Sequence, residues 1–284
     1  MKEKQLKWVL VAPALTMIVG LIIFPLIYAL RAALYLYRFG KPFKFVGLQN
    51  FIDLFKNPLV LNAVVNTVIY VAIAVSAEFL LGLLLALLMN REMRGFGRTV
   101  RAGLTIPMFI APVVVGIIWR MIYNPQYGLF DWVFGIRNFA ATGGNHALFF
   151  VVLADVWQWT PFMYIIILAA LQSVSPELIE ASIIDGAGAW QRTIRIILPS
   201  ISAAIVIAFT LRFMEATKAL DIIYTLTFGG PGADTETVGY MIFRLAFNDV
   251  RIGTATAFSW LYTILISIIL GFFMSWLNRR YEIV

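Results

Sequence analysis

Long apolar runs alternate with short polar segments along the chain, and this pattern predicts a bundle of membrane-spanning helices. A helix that crosses a bilayer needs about 20 mostly apolar residues. Six runs are long enough, and we name them the first to the sixth span in chain order; they cover residues 8–30, 63–89, 100–123, 147–171, 199–218 and 255–277. The first apolar run exceeds the roughly 7–15 residues of a signal peptide and has no small-residue cleavage site after it, so we expect it to be retained. The predicted fold class is all-α, a polytopic membrane protein with six transmembrane helices.

The amino-acid composition agrees with a membrane protein and excludes several other classes. Hydrophobic residues make up 61% of the 284 residues and charged residues 13%, whereas about 25% of the residues in a soluble domain are charged. A soluble enzyme, a disordered chain and a disulfide-rich secreted domain are therefore excluded. The chain has no cysteine and one histidine, His146, which leaves no thiolate site, disulfide or histidine-rich metal site. Because no linker or internal repeat divides the sequence, we expect residues 1–284 to form a single transmembrane domain.

The formal net charge of +7 is better explained by a membrane than by nucleic acid. Basic residues beside apolar spans accumulate on the cytoplasmic side and set the orientation, so we expect a lipid bilayer as a partner and no nucleic acid. Six spans place both termini on one side, and the basic cluster at 91–101 with Arg279 and Arg280 assigns that side to the cytoplasm. Some basic residues fall on the outer side and weaken this bias: Arg31, Arg38, Lys41, Lys44 and Lys56.

The segment between the fourth and fifth spans, residues 172–198, is too polar to cross a membrane and too regular for a plain linker. Ser175 and Pro176, followed by an acidic residue, are typical of the start of a helix. Asp185 and Gly186 then predict a turn. A second helix is expected at about 188–197, before Pro199 opens the fifth span. We therefore predict two short helices in a cytoplasmic loop.

This loop contains Glu-Ala-Ser-Ile-Ile-Asp-Gly-Ala at 180–187, with Ile-Leu-Pro at 197–199. The spacing resembles the EAA loop of ABC importer permeases, with serine in place of the second alanine. In that family the loop forms a coupling helix that docks on the ATP-hydrolysing subunit. The resemblance implies a coupling role for six residues: Glu180, Ala181, Ser182, Asp185, Gly186 and Ala187. An ordinary capped helical hairpin is the alternative interpretation.

Further motifs resemble the carbohydrate branch of these permeases, in particular the first of the two permease types in maltose and glycerol-3-phosphate importers. They lie at 45–51, 66–67, 155–161 and 224–232, and the last contains the outer-loop signature Gly229, Gly230 and Pro231. Alone, that signature would predict only a tight turn. Together the motifs imply a permease subunit of an ATP-driven, binding-protein-dependent importer for a carbohydrate, polyol or sugar phosphate.

The same resemblance implies partners and a location. A second related permease, two ATP-binding subunits and an extracytoplasmic solute-binding protein would complete the transporter in the inner membrane of a prokaryote. The chain has no Gly-x-x-x-x-Gly-Lys-Ser/Thr loop, which is the signature of a phosphate-binding site. We therefore expect no catalysis and no cofactor in this chain, with ATP and Mg²⁺ on the partner ATPase. An ABC permease for a non-sugar solute and an ion-coupled secondary transporter are the alternatives.

Ionisable residues inside the spans are the remaining functional signal, because a charge in a bilayer is costly and by default faces the interior of the bundle or water. Asp155 and Arg212 lie about 12 Å and roughly 10 Å below the outer boundary at a rise of about 1.5 Å per residue, so we predict that they pair. Three residues on the same helical faces are predicted to line a solute path with them: Gln158, Trp159 and Glu215. A purely structural ion pair is the alternative. For Glu78, a cavity role and a hydrogen bond to another subunit both stay open.

Overall fold

The computed structural model describes residues 3–38, 43–90, 96–134 and 143–281. Its α-helices are Glu3–Ile18, Phe24–Ala33, Gln49–Lys56, Pro58–Met89, Phe96–Gly103, Pro112–Ile122, Leu129–Phe134, Ala147–Gln172, Pro176–Ile184, Ala189–Arg192, Leu198–Ser200, Ser202–Thr217, Asp221–Leu226, Val238–Phe243 and Ile252–Tyr281. Short π-helices lie at Val19–Ile23, Thr193–Ile197 and Arg244–Asn248, and 3₁₀ turns lie at Ile106–Phe109 and Gly144–His146. Two short strands, Tyr35–Leu36 and Lys44–Phe45, pair antiparallel. The all-α fold class is therefore confirmed.

Four helical stretches are long and apolar enough to cross a membrane without a sharp bend: Leu10–Ala33, Pro58–Met89, Ala147–Gln172 and Ile252–Ser275. They correspond to the first, second, fourth and sixth spans. The third and fifth spans are each a pair of helices, Gly97–Phe109 with Pro112–Ile122 at 99° and Ala189–Ser200 with Ser202–Thr217 at 70°. By length and composition, the described residues therefore provide four spans, or six if each bent pair crosses once.

The break in the third span follows from Pro112. Proline has no N–H and disfavours helical backbone at the residue before it, and Ala111 is accordingly extended, with φ −59° and ψ 137°. The helix restarts with Pro112 as its first residue, a position where the missing N–H costs nothing. The third span is therefore two half-helices. Gln158 of the fourth span binds the carbonyl of Ile110 at the break.

The fifth span has a bend beside its predicted start. The sequence analysis places Pro199 at its start, but Pro199 lies inside the short helix Leu198–Ser200, and the long helix starts at Ser202. Ile201, with φ −103° and ψ 11°, separates the two. Proline at the first turn suits either helix start, so the residue type alone does not reveal which helix it opens. The long helix therefore starts three residues after Pro199, beyond a bend that the sequence analysis does not predict.

Contacts group the chain into two compact units, Met1–Leu61 with Met241–Ile269 and Asn62–Tyr240 with Leu270–Val284, whereas the sequence analysis expects one domain. Each unit is described by itself. In the first, the buried amide of Asn50 donates to the carbonyls of Ala33 at 2.8 Å and Tyr35 at 2.9 Å. A Cβ at Gly253 would lie 2.2 Å from the carbonyl oxygen of Tyr35. The start of the sixth span therefore packs directly on the backbone that follows the first span.

The second unit is built around the fourth span. In the most apolar 18-residue window of each span, 61% of the window is buried in the fourth span but only 33% in the second. Val151 and Ile167 of the fourth span are fully buried. Gly82 allows the second span to approach closely, because a Cβ there would lie 2.6 Å from Cβ of Met163 and 2.9 Å from the backbone nitrogen of Tyr164. The contact between these two spans therefore requires glycine.

We expect Gly82→Val to lower the midpoint of thermal unfolding in detergent, because the new side chain overlaps the backbone of the fourth span. Overpacking of this kind costs about 1–3 kcal/mol. Gly271→Val in the sixth span is the matched control, since no atom lies within 4 Å of a Cβ at Gly271. Equal unfolding midpoints for the two variants would contradict the close approach of the second and fourth spans.

Candidate substrate path, coupling loop and outer loop

Arg212 of the fifth span is bound by two carboxylates inside the second unit. Its Nε donates to Oε2 of Glu78 at 2.7 Å, and its Nη2 donates to Oε1 of Glu78 at 2.9 Å. Nη2 also donates to Oδ2 of Asp155. The side chains of Arg212, Glu78 and Asp155 are 2%, 0% and 6% exposed, so all three charges lie in the interior. The predicted pairing of Asp155 with Arg212 is confirmed.

Glu78 is the member of this cluster that sequence reasoning missed. It binds within the chain, where the sequence analysis leaves open a cavity role or a bond to another subunit. A rise of about 1.5 Å per residue puts Glu78 roughly 22 Å below the outer boundary, about 10 Å deeper than Asp155. Depth arithmetic, which the sequence analysis does not apply to Glu78, would therefore separate the two carboxylates. The remaining signal was the cost of an ionisable group in the middle of a span, which marks Glu78 but does not name its partner.

The predicted neighbours of Asp155 on the fourth span have different surroundings. Trp159 is half-buried, and Cζ of Arg212 lies 5.0 Å from the centroid of its ring, which is within the range of a cation–π contact. Gln158 is 1% exposed, and its Nε2 donates to the carbonyl of Ile110 at 2.8 Å. Gln158 therefore holds the break in the third span, contrary to the expectation that it lines a solute path.

A cavity of about 270 Å³ adjoins the cluster of Arg212, Glu78 and Asp155. Four of the five predicted path residues line it, together with Tyr70, Pro112 and residues 218–222; these four are Asp155, Trp159, Arg212 and Glu215. Glu215 accepts a hydrogen bond from Nζ of Lys218 at 2.7 Å. The cavity is therefore lined by charged groups and by the Trp159 ring, which Arg212 contacts.

The loop between the fourth and fifth spans has the predicted start and end signals. Oγ of Ser175 accepts a hydrogen bond from the backbone N–H of Glu177 at 3.2 Å and caps the helix Pro176–Ile184. Gly186 has φ +77°, and the N–H of Ala187 donates to the carbonyl of Ser182 at 3.0 Å. A left-handed glycine with this bond forms a Schellman motif, which ends a helix and turns the chain.

The loop residues named by the resemblance differ in exposure. Four of them are exposed: Glu180, Ala181, Asp185 and Gly186. Ala187 is half-buried, and Ser182 is buried, with its hydroxyl donating to the carbonyl of Ile179 at 2.6 Å. Apolar side chains nearby are also exposed, with Ile184 at 86% and Trp190 at 75%. The loop therefore presents a mixed charged and apolar surface.

The residues of the outer-loop signature are held by packing and by hydrogen bonds. Gly229 has φ +77°, and a Cβ there would lie 2.5 Å from the ring of Tyr240. The carbonyl of Gly230 accepts from Oγ1 of Thr235 at 2.9 Å. Gly230 and Pro231 also line a cavity of about 340 Å³, where Cζ of Arg120 stands 5.0 Å from the ring centroid of Phe228. The segment is therefore more than the tight turn that the signature alone predicts.

The second span anchors this outer loop. Nδ2 of Asn66 donates to the carbonyls of Ala233 at 3.0 Å and Glu236 at 3.1 Å. Oγ1 of Thr67 accepts from the N–H of Val238 at 2.9 Å. The sequence motif at 66–67 and the signature at 229–231 are therefore parts of one structure, which the sequence analysis treats as separate.

The amino-acid sequence matches the family described as "Binding-protein-dependent transport system inner membrane component" over residues 78–283, which is more than half of the chain. The chain belongs to this family. The matched range includes the carboxylate cluster at Arg212, the coupling loop and the outer-loop signature. The permease is therefore a component of a transport system rather than a member of a catalytic family.

Three relatives match most of the permease. The trehalose/maltose transport system permease protein MalF of Thermococcus litoralis is 34% identical over 261 residues, which cover 89% of the permease and 88% of the relative. The trehalose transport system permease protein SugA of Mycobacterium tuberculosis is 34% identical over 261 residues, with coverage of 91% and 84%. The sn-glycerol-3-phosphate transport system permease protein UgpA of Pectobacterium atrosepticum is 33% identical over 270 residues, with coverage of 93% and 91%.

Solved structures share the fold of the permease. One is a chain of a bacterial alginate ABC transporter, crystallised with a periplasmic protein that holds an alginate pentasaccharide; its TM-score is 0.84 at 22% identity, over 98% of the permease and 96% of that chain. A chain of the MetNI methionine ABC transporter has a TM-score of 0.57 at 20% identity, over 78% and 96%. The fold is therefore that of ABC transporter permeases.

We expect Arg212→Gln to destabilise the permease strongly, because it leaves two buried carboxylates without a counter-charge. Removing one partner of a buried ion pair costs about 3–5 kcal/mol, measurable as a lower unfolding midpoint in detergent. The triple variant Glu78→Gln, Asp155→Asn, Arg212→Gln should recover most of the loss, since no unpaired charge remains.

Lys218→Gln is the control for this experiment. The pair of Lys218 and Glu215 is 62% and 55% exposed, and such a pair contributes roughly 0–1 kcal/mol. A triple variant as unstable as Arg212→Gln would show that unpaired charge is not the cause of the loss. A plain exchange of Asp155 and Arg212 is not informative, because it sets a new carboxylate against Glu78.

Proposed function

We propose that the permease carries a carbohydrate, polyol or sugar phosphate across the inner membrane of a prokaryote as one subunit of an ATP-driven importer. The observation that carries the proposal is the loop between the fourth and fifth spans, a capped helix that ends in a left-handed glycine and exposes Glu180 and Ile184. The relatives described as trehalose, maltose and sn-glycerol-3-phosphate permeases, each at least 33% identical, support the substrate class.

The exposed loop surface is the proposed docking site for an ATP-binding subunit. Large apolar side chains exposed together on a loop mark a protein contact, and Ile184 and Trp190 are 86% and 75% exposed. Glu180, Ala181 and Asp185 face the partner in this proposal. Gly186 sets the direction of the chain after the helix, while the buried Ser182 and the half-buried Ala187 pack the loop.

The loop is joined directly to the helices that hold the charged cluster. The fourth span ends at Gln172, four residues before the docking helix starts at Pro176, and the second loop helix leads through the bend at Ile201 into the fifth span. Closure of two ATPases on binding ATP shifts the permease between its conformations by differential contact with this loop. The displacement then reaches Asp155 along the fourth span, and it reaches Arg212 through the bend at Ile201 and along the helix Ser202–Thr217.

In the proposed transporter, the solute passes the cavity lined by Asp155, Trp159, Arg212 and Glu215. A second related permease completes the path, and an extracytoplasmic solute-binding protein delivers the solute to the side of Gly229, Gly230 and Pro231. Both termini and the coupling loop then face the cytoplasm. ATP and Mg²⁺ are bound by the partner ATPases, so this chain needs no cofactor of its own.

The test is purification of the permease in mild detergent with whatever co-elutes, followed by reconstitution into proteoliposomes. We expect a second permease and an ATPase to co-elute. We expect uptake of radiolabelled trehalose or maltose to require ATP in the lumen of the proteoliposomes, where the ATPases face, and the solute-binding protein outside. Uptake that persists without nucleotide would favour the ion-coupled transporter instead.

Gly186→Val tests the coupling role directly. A β-branched residue is strained at φ +77°, so the helix can no longer end as it does. We expect ATP-dependent uptake to fall at least about tenfold, the equivalent of a displacement costing roughly 1.4 kcal/mol, while the permease remains in the membrane. Gly188→Val is the matched control, since Gly188 has φ −64° and no atom within 4 Å of a Cβ. Wild-type uptake by Gly186→Val would exclude the proposed role.

A further inference from the structure

Carboxylates outnumber cations around the cavity of about 270 Å³ in the second unit. Three carboxylates line it, Asp155, Glu215 and Asp221, and two cations do so, Arg212 and Lys218. Glu78 adds a further carboxyl group directly behind Arg212, at 2.7 Å from its Nε. The wall that this chain contributes is therefore negative in balance.

Both cations already have acidic partners. The guanidinium of Arg212 is bound by Glu78 and Asp155, and Nζ of Lys218 lies 2.7 Å from Oε1 of Glu215. Asp221, by contrast, is exposed at the cavity and has no cationic partner within the part of the chain that the structure describes. An anion that entered would meet carboxylates, without an unpaired cation among the described residues that line the cavity.

We propose that this cavity admits uncharged glycosides or polyols and rejects phosphorylated or carboxylated ones. The proposal rests on the proposed function and narrows its substrate class. A phosphate group needs charge-assisted hydrogen bonds to cations or N–H groups, and among the described residues that line this cavity both cations, Arg212 and Lys218, are already paired. Sugar hydroxyls are donors, so they match the free carboxylate oxygens of Glu215 and Asp221.

The ring of Trp159 supplies the second element of recognition. Arg212 covers one face of the indole at 5.0 Å, and the half-buried ring also lines the cavity. The apolar face of a pyranose can pack on an aromatic ring, and this contact needs no charge on the sugar. The permease therefore resembles its trehalose and maltose relatives, rather than its sn-glycerol-3-phosphate relative, in the chemistry it accepts.

The absence of native cysteine allows a direct measurement of the charge in the cavity. Leu220→Cys places a single thiol in its wall. The sample is the intact complex in proteoliposomes or membrane fragments. We would compare the rates at which a trimethylammonium and a sulfonate methanethiosulfonate reagent modify this thiol, measured by mass spectrometry of this chain. Each rate is divided by the rate with free mercaptoethanol, which removes the intrinsic reactivity of the reagent.

We expect the cationic reagent to be favoured at least about tenfold, because the two reagents differ by two charges in a partly desolvated site. Asp221→Asn should reduce this preference, whereas the matched variant Asp234→Asn, at an exposed position that does not line the cavity, should leave it unchanged. Equal rates, or a preference for the sulfonate reagent, would overturn the proposal.

Protection of the same thiol identifies the solute class. Trehalose or maltose at saturating concentration should slow the modification of Leu220→Cys, while sn-glycerol-3-phosphate should not. Protection by sn-glycerol-3-phosphate, or by neither solute, would overturn the inference. ATP-dependent uptake of sn-glycerol-3-phosphate by the wild-type transporter would also overturn it while leaving the permease function intact, whereas the absence of any ATP-dependent uptake would count against the permease function itself.

Discussion

One guanidinium shared by two carboxylates is the constraint on which the packing of the second unit depends. Each ion taken out of water costs several kcal/mol, and the core of a bilayer offers no water to offset that cost. The cost is balanced only when Arg212 reaches Glu78 and Asp155 together. The second, fourth and fifth spans must therefore share one height and one set of rotations, since a slip of a single helical turn, about 5.4 Å, would separate the charges.

Side-chain amides provide hydrogen bonds to irregular backbone in the third span and in the outer loop. Non-helical backbone at membrane depth is tolerated where protein groups bind it. Gln158 binds the carbonyl of Ile110 at the break before Pro112, and Asn66 binds two carbonyls of the outer loop. In both cases an amide on a straight span holds a segment that has lost its regular hydrogen bonds. The straight spans thus act as the frame on which the broken third span and the outer loop are fixed.

Much of this architecture could be predicted from the sequence, because a run of about 20 apolar residues has few alternatives to a spanning helix. The depth arithmetic also succeeded for Asp155 and Arg212. Applied to Glu78, the same arithmetic does not bring it to their depth, and counting from the observed start at Pro58 puts it deeper still, because depth counted along the chain takes no account of the tilt of a span. Gln158 shows a different limit: helical periodicity places it beside Asp155, but periodicity does not tell a polar group that faces a cavity from one that binds a broken helix.

The sequence separation between the charged partners has a consequence for how the chain is made. Arg212 lies 134 positions after Glu78 and 57 after Asp155. Ribosomes add roughly 5–20 residues per second, so Glu78 waits on the order of 7–27 s for its counter-ion. Throughout that interval the second span carries a carboxyl group whose partner does not yet exist. Until then the carboxyl group of Glu78 must either be protonated or be in contact with water, and the ion cluster can form only after the fifth span has been synthesised.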